Sequence, residues 1–368
     1  MVKYTEIDII YNYPVFKYFN WLKSVGFRSP TQQNTIITLF MLLSIIIASF
    51  IDNSFILDEN NIGLFQHPSI WFFFVTQFVF PLTLFKSVKK LLCIFDWKEL
   101  IVTRKFIENH YTDFINYLSI FTKRESNTSV VLFNIMIILG LIAFIWNTLQ
   151  NQLPYKFLGF DFWDSFNYQW GYWVTRIYKF YLWVLLLPSL AHIQVGIMLT
   201  IRKIIIKANL QNEVILEPYH KDCNGGAKAF IDTIIHSIAP ILFFVGIHNI
   251  IVINIHKQID YTTILGLLFA SLIFLSFYLI PAFYLKKIIV SEKEKFLNEI
   301  SHLQNSLLEI AFKNNSNIKV NIDAITSLTT ISKKIKSIPN WPQFAYISKL
   351  LSLAISPTIL NIIIKLIV

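Results

Sequence analysis

The sequence predicts an all-α protein: a polytopic bundle of about seven transmembrane helices, with a cytoplasmic N-terminus and cytoplasmic helical extensions. The composition is 55% hydrophobic and only 15% charged, whereas soluble domains carry about 25% charged residues. Several apolar runs reach the length of about 20 residues that a helix needs to cross the hydrocarbon core. Basic residues are also concentrated in alternate connections between these runs. Together these observations predict an integral membrane protein.

Seven apolar segments are long enough to span a bilayer. Helix is the expected state for each, because unsatisfied backbone groups in lipid are costly. The segments cover residues 34–51, 69–85, 130–149, 172–201, 230–255, 262–288 and 344–368. The seventh is the weakest, and without it the chain would have six spans and a cytoplasmic C-terminus.

The distribution of basic residues predicts the orientation. The N-terminal segment and three connections contain 26 of the 32 Lys and Arg residues; these regions are 1–33, 86–127, 202–228 and 286–336. The opposite connections contain only Lys156 and Lys257. Because cytoplasmic loops carry the basic excess, we expect a multi-pass protein of the inner (plasma) membrane with its N-terminus inside. The net charge of +10 then reflects orientation and affinity for anionic headgroups, and no nucleic-acid partner is expected.

The chain divides into four regions on this basis. A cytoplasmic segment (1–33) has no apolar core of signal-peptide type. Spans one to six follow (34–288, with cytoplasmic connections at 86–127 and 202–228), then a cytoplasmic helical region (289–343) and a last transmembrane helix (344–368).

Two apolar stripes predict helices in the cytoplasmic region. The first consists of Phe296, Ile300, Leu303, Leu307 and Ile310, and it predicts that the sixth span continues into the cytoplasm with one packing face. The second consists of Ile325, Leu328, Ile331 and Ile335 and should end before Pro339. Between them, "NIKVNI" (317–322) alternates like a short strand.

The loop 217–230 is the one stretch typical of a soluble site. His220, Asp222, Gly225 and Gly226 stand close together in it. The glycines could form a turn with positive φ before a capped fifth span, or an anion-binding nest, or the loop could be catalytic. Its potential ligands are too close together to complete a metal site, so neither a metal nor a cofactor is expected.

Two motifs carry a resemblance to a known group. "PYHKDCNGGAKAF" (218–230) resembles the His-Pro-Asp-x-x-Gly-Gly-Leu loop of uncharacterised bacterial polytopic membrane proteins, and residues 322–360 resemble their C-terminal region with its Trp-Pro-Phe-Asp segment. Lys221 and Gln343 depart from that pattern. The resemblance implies a bacterial inner-membrane location and no particular activity.

The predicted topology is also similar to that of the seven-span insect chemoreceptor ion channels. This second resemblance implies a homo-oligomer in which the last helix lines a pore and inward helix extensions anchor the assembly.

Polar residues within the last span are candidates for lining such a path. They form two stripes at helical spacing, separated by Pro357: Lys349, Ser352 and Ser356, then Thr358, Asn361 and Lys365. The alternative is that both lysines snorkel to the interfaces while the hydroxyl groups bond the helix backbone.

A second polar set lies in the fourth and fifth spans. It comprises His192, Gln194, His236, His248 and Asn249. These side chains could form a ligand or proton pocket, or they could be hydrogen-bonded structural groups between packed helices. Arg176 and Lys179, near the outer end of the fourth span, are predicted to snorkel.

Three functions follow from these patterns. The first is an oligomeric ligand- or signal-gated ion channel or a pore-forming effector, for example in antiviral defence. The second is a transporter or receptor-like binder that uses the His/Gln pocket. The third is a membrane enzyme with the 217–230 loop as its site. The first is favoured, and no enzymatic activity is expected.

Overall fold

The computed structural model describes the chain apart from twelve intervals. The described residues are Ile10, 16–57, 61–96, 101–123, 127–158, 163–164, 166–216, Tyr219, 226–237, 261–313 and 318–340. They form helices and no strand, which confirms the all-α prediction. The helices are α1 (Lys17–Ser24), α2 (Pro30–Ile51), α3 (Pro68–Asp96), α4 (Arg104–Lys123), α5 (Asn127–Leu158), α6 (Gln169–Phe180), α7 (Leu187–Leu210), α8 (Tyr261–Lys313) and α9 (Ile318–Ser337). Residues 228–237 are also helical.

Three stretches of the described helices are long and apolar enough to cross a membrane. They are α2, the Asn127–Ile145 part of α5, and the continuous stretch Gln169–Leu210, and they coincide with the first, third and fourth predicted spans. Large apolar side chains on α2 and α5 remain exposed, including Phe40, Leu43, Ile47, Val131, Ile138 and Ile142. Such exposure suits a lipid solvent, and the three helices indicate an integral membrane protein.

The other predicted spans are covered in part. The second and sixth lie within α3 and α8, and both helices extend beyond the predicted limits. The fifth begins in the helical segment 228–237. Its remainder and the seventh predicted span, 344–368, lie outside the described residues.

The stretch Gln169–Leu210 is the central helix of the bundle. It consists of α6, a π-helical turn (Tyr181–Leu186) and α7. In its most apolar part 83% of the residues are buried, against 11% for α5. The turn packs against α5 at Gly140, where an added Cβ would clash with the Trp183 carbonyl oxygen. π-helical turns frequently occur at functional sites, so we examined the polar groups along this helix.

Three loops meet at the predicted cytoplasmic end of the bundle. Val102 and Val214 form an isolated antiparallel bridge. The Ile215 N–H donates to the Ile101 carbonyl at 2.8 Å, and the Ile101 N–H donates to the Gly226 carbonyl at 3.1 Å. These bonds connect the start of α4, the end of α7 and Gly226 of the 217–230 loop.

Helices α8 and α9 form a hairpin that corrects two predictions. Helix α9 begins at Ile318, so the strand predicted at 317–322 is wrong. A lone six-residue strand has no partner, whereas a helix gains one backbone bond for each residue that it adds. On α8, Phe296 and Ile300 are covered, but Leu303 and Ile310 are half exposed. The predicted packing face is therefore correct only in its first half.

Candidate functional sites along the central helix

A buried charge cluster lies at the predicted outer end of the central helix, and we call it the outer cluster (Asp164, Arg176 and Lys179). Lys179 Nζ donates to Asp164 Oδ2 at 3.2 Å, and these side chains are 18% and 3% exposed. Burial acts to raise the pKa of Asp164, but the nearby positive charges, that of Lys179 above all and that of Arg176, outweigh it and hold that pKa below its ordinary value. The carboxylate is therefore charged at neutral pH.

Packing around Trp163 positions Asp164. The Trp163 side chain is fully buried, and its indole N–H donates to His67 Nδ1 at 3.1 Å. Its carbonyl oxygen lies so close to α6 that a Cβ on Gly171 would be 2.6 Å away. Asp52 Oδ2 accepts a 2.6 Å hydrogen bond from the Gly171 N–H, which places a carboxylate in the first turn of α6, where the helix dipole favours it.

Arg176 completes the outer cluster without a counter-ion of its own. The residue is 6% exposed, and its guanidinium lies over the Tyr172 ring at 4.9 Å. Among the described residues, Nε and Nη1 of Arg176 have no hydrogen-bond partner. The prediction that Arg176 and Lys179 snorkel is wrong, because one is buried and the other pairs with a buried carboxylate.

A neutral polar contact lies in the middle of the helix. His192 Nε2 lies 3.1 Å from both the hydroxyl and the carbonyl oxygen of Ser129 on α5. Since a carbonyl oxygen only accepts, this arrangement places the proton on Nε2. The Phe133 ring meets the imidazole edge to face at 5.3 Å. His192 is thus a buried, hydrogen-bonded contact between α5 and α7.

The structure describes two of the four remaining members of the predicted His/Gln pocket. Gln194 is buried, and its Oε1 has no partner among the described residues. His236 Nδ1 donates to the Asp232 carbonyl of its own helical turn at 2.7 Å. His248 and Asn249 lie outside the described residues. Of the two described histidines, His192 therefore bonds across to α5 and His236 bonds within its own helical turn.

A second charged cluster lies at the opposite end of the central helix, and we call it the inner cluster (His110, Asp113, Lys207 and Gln211). Lys207 Nζ lies 3.2 Å from Asp113 Oδ2 and 3.0 Å from His110 Nδ1. Because Nδ1 accepts from Lys207, the imidazole is neutral and Nε2 donates to Gln211 Oε1 at 3.2 Å. The hydrogen bond and charge of Lys207 lower the pKa of Asp113.

Helix α4 brings the inner cluster together, and the sequence analysis missed this helix. The Thr103 hydroxyl caps it by accepting from the Phe106 N–H at 3.3 Å, and Lys203 of α7 lies 3.9 Å from the centre of the Tyr117 ring. A stripe at helical spacing was available as a signal; it consists of Phe106, Ile107, Tyr111, Phe114, Ile115 and Leu118, all buried.

The loop 217–230 is described only at Tyr219 and from Gly226 onward, and the predicted last span lies outside the described residues. Gly226 has a φ of 91°, as the turn interpretation of the loop requires, and Ala227 and Phe230 are buried behind it. His220, Asp222 and Gly225 lie outside the described residues. The same holds for the predicted pore-lining set, Lys349, Ser352, Ser356, Thr358, Asn361 and Lys365.

Comparisons with known proteins add no relative. The sequence matches no family model, and no curated protein or solved structure is significantly similar to it. Within the described part of the chain, no group of three His, Cys, Asp or Glu side chains could hold a metal ion.

Proposed function

We propose that the protein is a signal-gated ion channel that acts as a homo-oligomer. The observation that carries this proposal is the central helix, which runs from the outer cluster to the inner cluster and is interrupted only by the π-helical turn. A rigid element that ends in charge networks on both sides is suited to linking a signal at one face to a rearrangement at the other.

The hairpin of α8 and α9 supports assembly of several copies. Helix α8 has 53 residues, a length of about 80 Å at 1.5 Å per residue. The tip of the hairpin exposes several large apolar side chains: Leu303, Leu308, Ile310, Phe312, Val320 and Ile322. Phe312 alone is 85% exposed. Apolar surface of this kind marks interaction sites in soluble regions.

In this proposal the chain has seven spans with its N-terminus in the cytoplasm of a plasma membrane, and the last span lines the path for ions. The asymmetry of basic residues supports the orientation. The two polar stripes of residues 344–368, Lys349 to Ser356 and Thr358 to Lys365, support the path, since rings of lysine would favour anions.

The test is current recording from the purified protein in planar bilayers. Lys349→Ala, Asn361→Ala and Lys365→Ala should change single-channel conductance or ion selectivity. Lys295→Ala is the matched control, because that lysine is 60% exposed on α8 and belongs to the predicted cytoplasmic region. A bilayer that stays silent together with a monomer in detergent would contradict the proposal.

A further inference from the structure

We infer that Arg176 and Lys179, with Asp164, form an oxyanion-binding site at the outer end of the central helix, and that its ligand is a phosphate or carboxylate group. The inference deepens the proposed function by naming the chemical class of its signal, and it depends on that function only for the gating step. Binding is measured below without any recording of current, so that each idea can fail alone.

The unused donors of Arg176 are the first support. Nε and Nη1, which have no partner among the described residues, belong to different edges of the guanidinium plane. One edge pairs Nε with Nη2 and the other pairs Nη1 with Nη2, so each edge retains an unused N–H group. A guanidinium binds carboxylate or phosphate through two parallel hydrogen bonds along such an edge.

The balance of charge is the second support. The outer cluster contains one carboxylate, Asp164, and two cations. Lys179 pairs with Asp164 at 3.2 Å, and one carboxylate between two cations leaves the cluster with one positive charge in excess. A buried charge without a partner is costly, and a bound oxyanion would compensate it.

The position of Arg176 along the central helix places the buried site close to the interface between membrane and water. Trp170 and Trp173 precede it on α6 and are 57% and 62% exposed. Exposed tryptophans are typical of the interface between membrane and water. Arg176 follows Trp173 by three residues, about 4.5 Å along the helix axis, and therefore lies near the level of the lipid headgroups.

The experiment measures binding to the full chain in dodecyl maltoside, a detergent without phosphate or carboxylate. In the first arm, sodium phosphate at pH 7 is titrated against sodium chloride of equal ionic strength while tryptophan fluorescence and melting temperature are followed. In the second arm, native mass spectrometry counts bound phosphatidylglycerol against a phosphate-free galactolipid. The variants are Arg176→Gln, which removes the charge, and Arg176→Lys, which keeps the charge but lacks the paired N–H donors of the guanidinium.

Arg202→Gln is the matched control. Arg202 also lies over a tyrosine, Tyr284, at 5.0 Å, and its Nε also lacks a partner among the described residues. It belongs to the opposite end of the central helix, so its loss should leave binding at the outer cluster unchanged.

We expect saturable binding that weakens about tenfold or more in both Arg176 variants, the loss typical of a charge-assisted hydrogen bond. Asp164→Asn should tighten binding, because it removes the competing carboxylate. Binding of phosphate identifies a free anion as the ligand, and binding of phosphatidylglycerol alone identifies a headgroup. Absence of binding in both arms, or equal binding by wild type and the Arg176 variants, would overturn the site. Binding without current would uphold the site and reject the channel.

Discussion

The two ends of the central helix carry similar residues in different surroundings. At the outer end, the side chains of Asp164 and Lys179 are 3% and 18% exposed. At the inner end, those of Asp113 and Lys207 are 59% and 32% exposed. Both pairs have the same 3.2 Å separation, so distance alone would rank them as equal.

Burial separates the two pairs energetically. Water and salt screen the inner pair, and exposed ion pairs contribute little to stability. The outer pair has lost its hydration, so removal of one partner leaves an uncompensated buried charge. The outer cluster is therefore expected to govern stability, and the inner cluster to respond to pH and salt.

The largest effect is expected from Asp164→Asn. The change leaves both Lys179 and Arg176 without a carboxylate and should lower the free energy of unfolding by about 3–5 kcal/mol. Unfolding by SDS in mixed micelles measures it. Lys179→Met and the double variant complete a cycle, in which the double variant should be less destabilised than the sum of the single changes. Additive losses would show that the two side chains do not interact.

Lys293 on α8 extends the comparison to a buried cation whose partners in the described part of the chain are neutral oxygens and not a carboxylate. Lys293 Nζ donates to the Ile338 carbonyl at 2.7 Å, the Lys336 carbonyl at 3.3 Å and Asn340 Oδ1 at 2.6 Å, and so holds the end of α9 against α8. Lys293→Met should lower the free energy of unfolding by about 2 kcal/mol, the range for hydrogen bonds to a charged group. Lys295→Met, an exposed neighbour, is the control and should have no measurable effect.

The pH dependence of the free energy of unfolding tests the burial of Lys293 in the wild-type protein. Burial lowers its pKa from the ordinary 10.5. Between the lowered pKa and 10.5 the unfolded chain binds more protons, so stability should rise with pH across that window. If Lys293→Met shows the same slope of stability against pH, the slope belongs to other titrating groups.

The smallest effect is expected at the inner cluster. Asp113→Asn should destabilise the protein less than Asp164→Asn does, and the difference from wild type should vanish in about 1 M NaCl, where the screening length is about 3 Å. Because Lys207 lowers the pKa of Asp113 below 3.8, the stabilisation is present above pH 3.8 and is lost as pH falls through the lowered pKa. An effect independent of salt would place this pair in a dry environment and remove the contrast between the two ends.

Much of the fold could be predicted because it depends on local pattern. Helices α2, α5 and the Gln169–Leu210 stretch follow from apolar runs of sufficient length, and α9 ends at Ser337, before Pro339 as expected. Helix α4 was not predicted, although its apolar residues recur at helical spacing. The many basic residues of 86–127 are typical of a cytoplasmic connection, and the segment was interpreted as one. The strand at 317–322 was wrong because alternation over six residues does not distinguish a strand from an amphipathic helix.

By itself, the sequence determined that this chain is helical and that its apolar segments suit a bilayer, because hydropathy and helix length depend only on the order of residues. Only the tertiary structure decided which charges lose water. Arg176 and Lys207 are both cations near the ends of one continuous helix, and their neighbours set their burial: the Tyr172 ring for Arg176 and the exposed Asp113 of α4 for Lys207. Burial is a property of packing between distant segments, so the contrast between the two ends cannot be derived from local sequence.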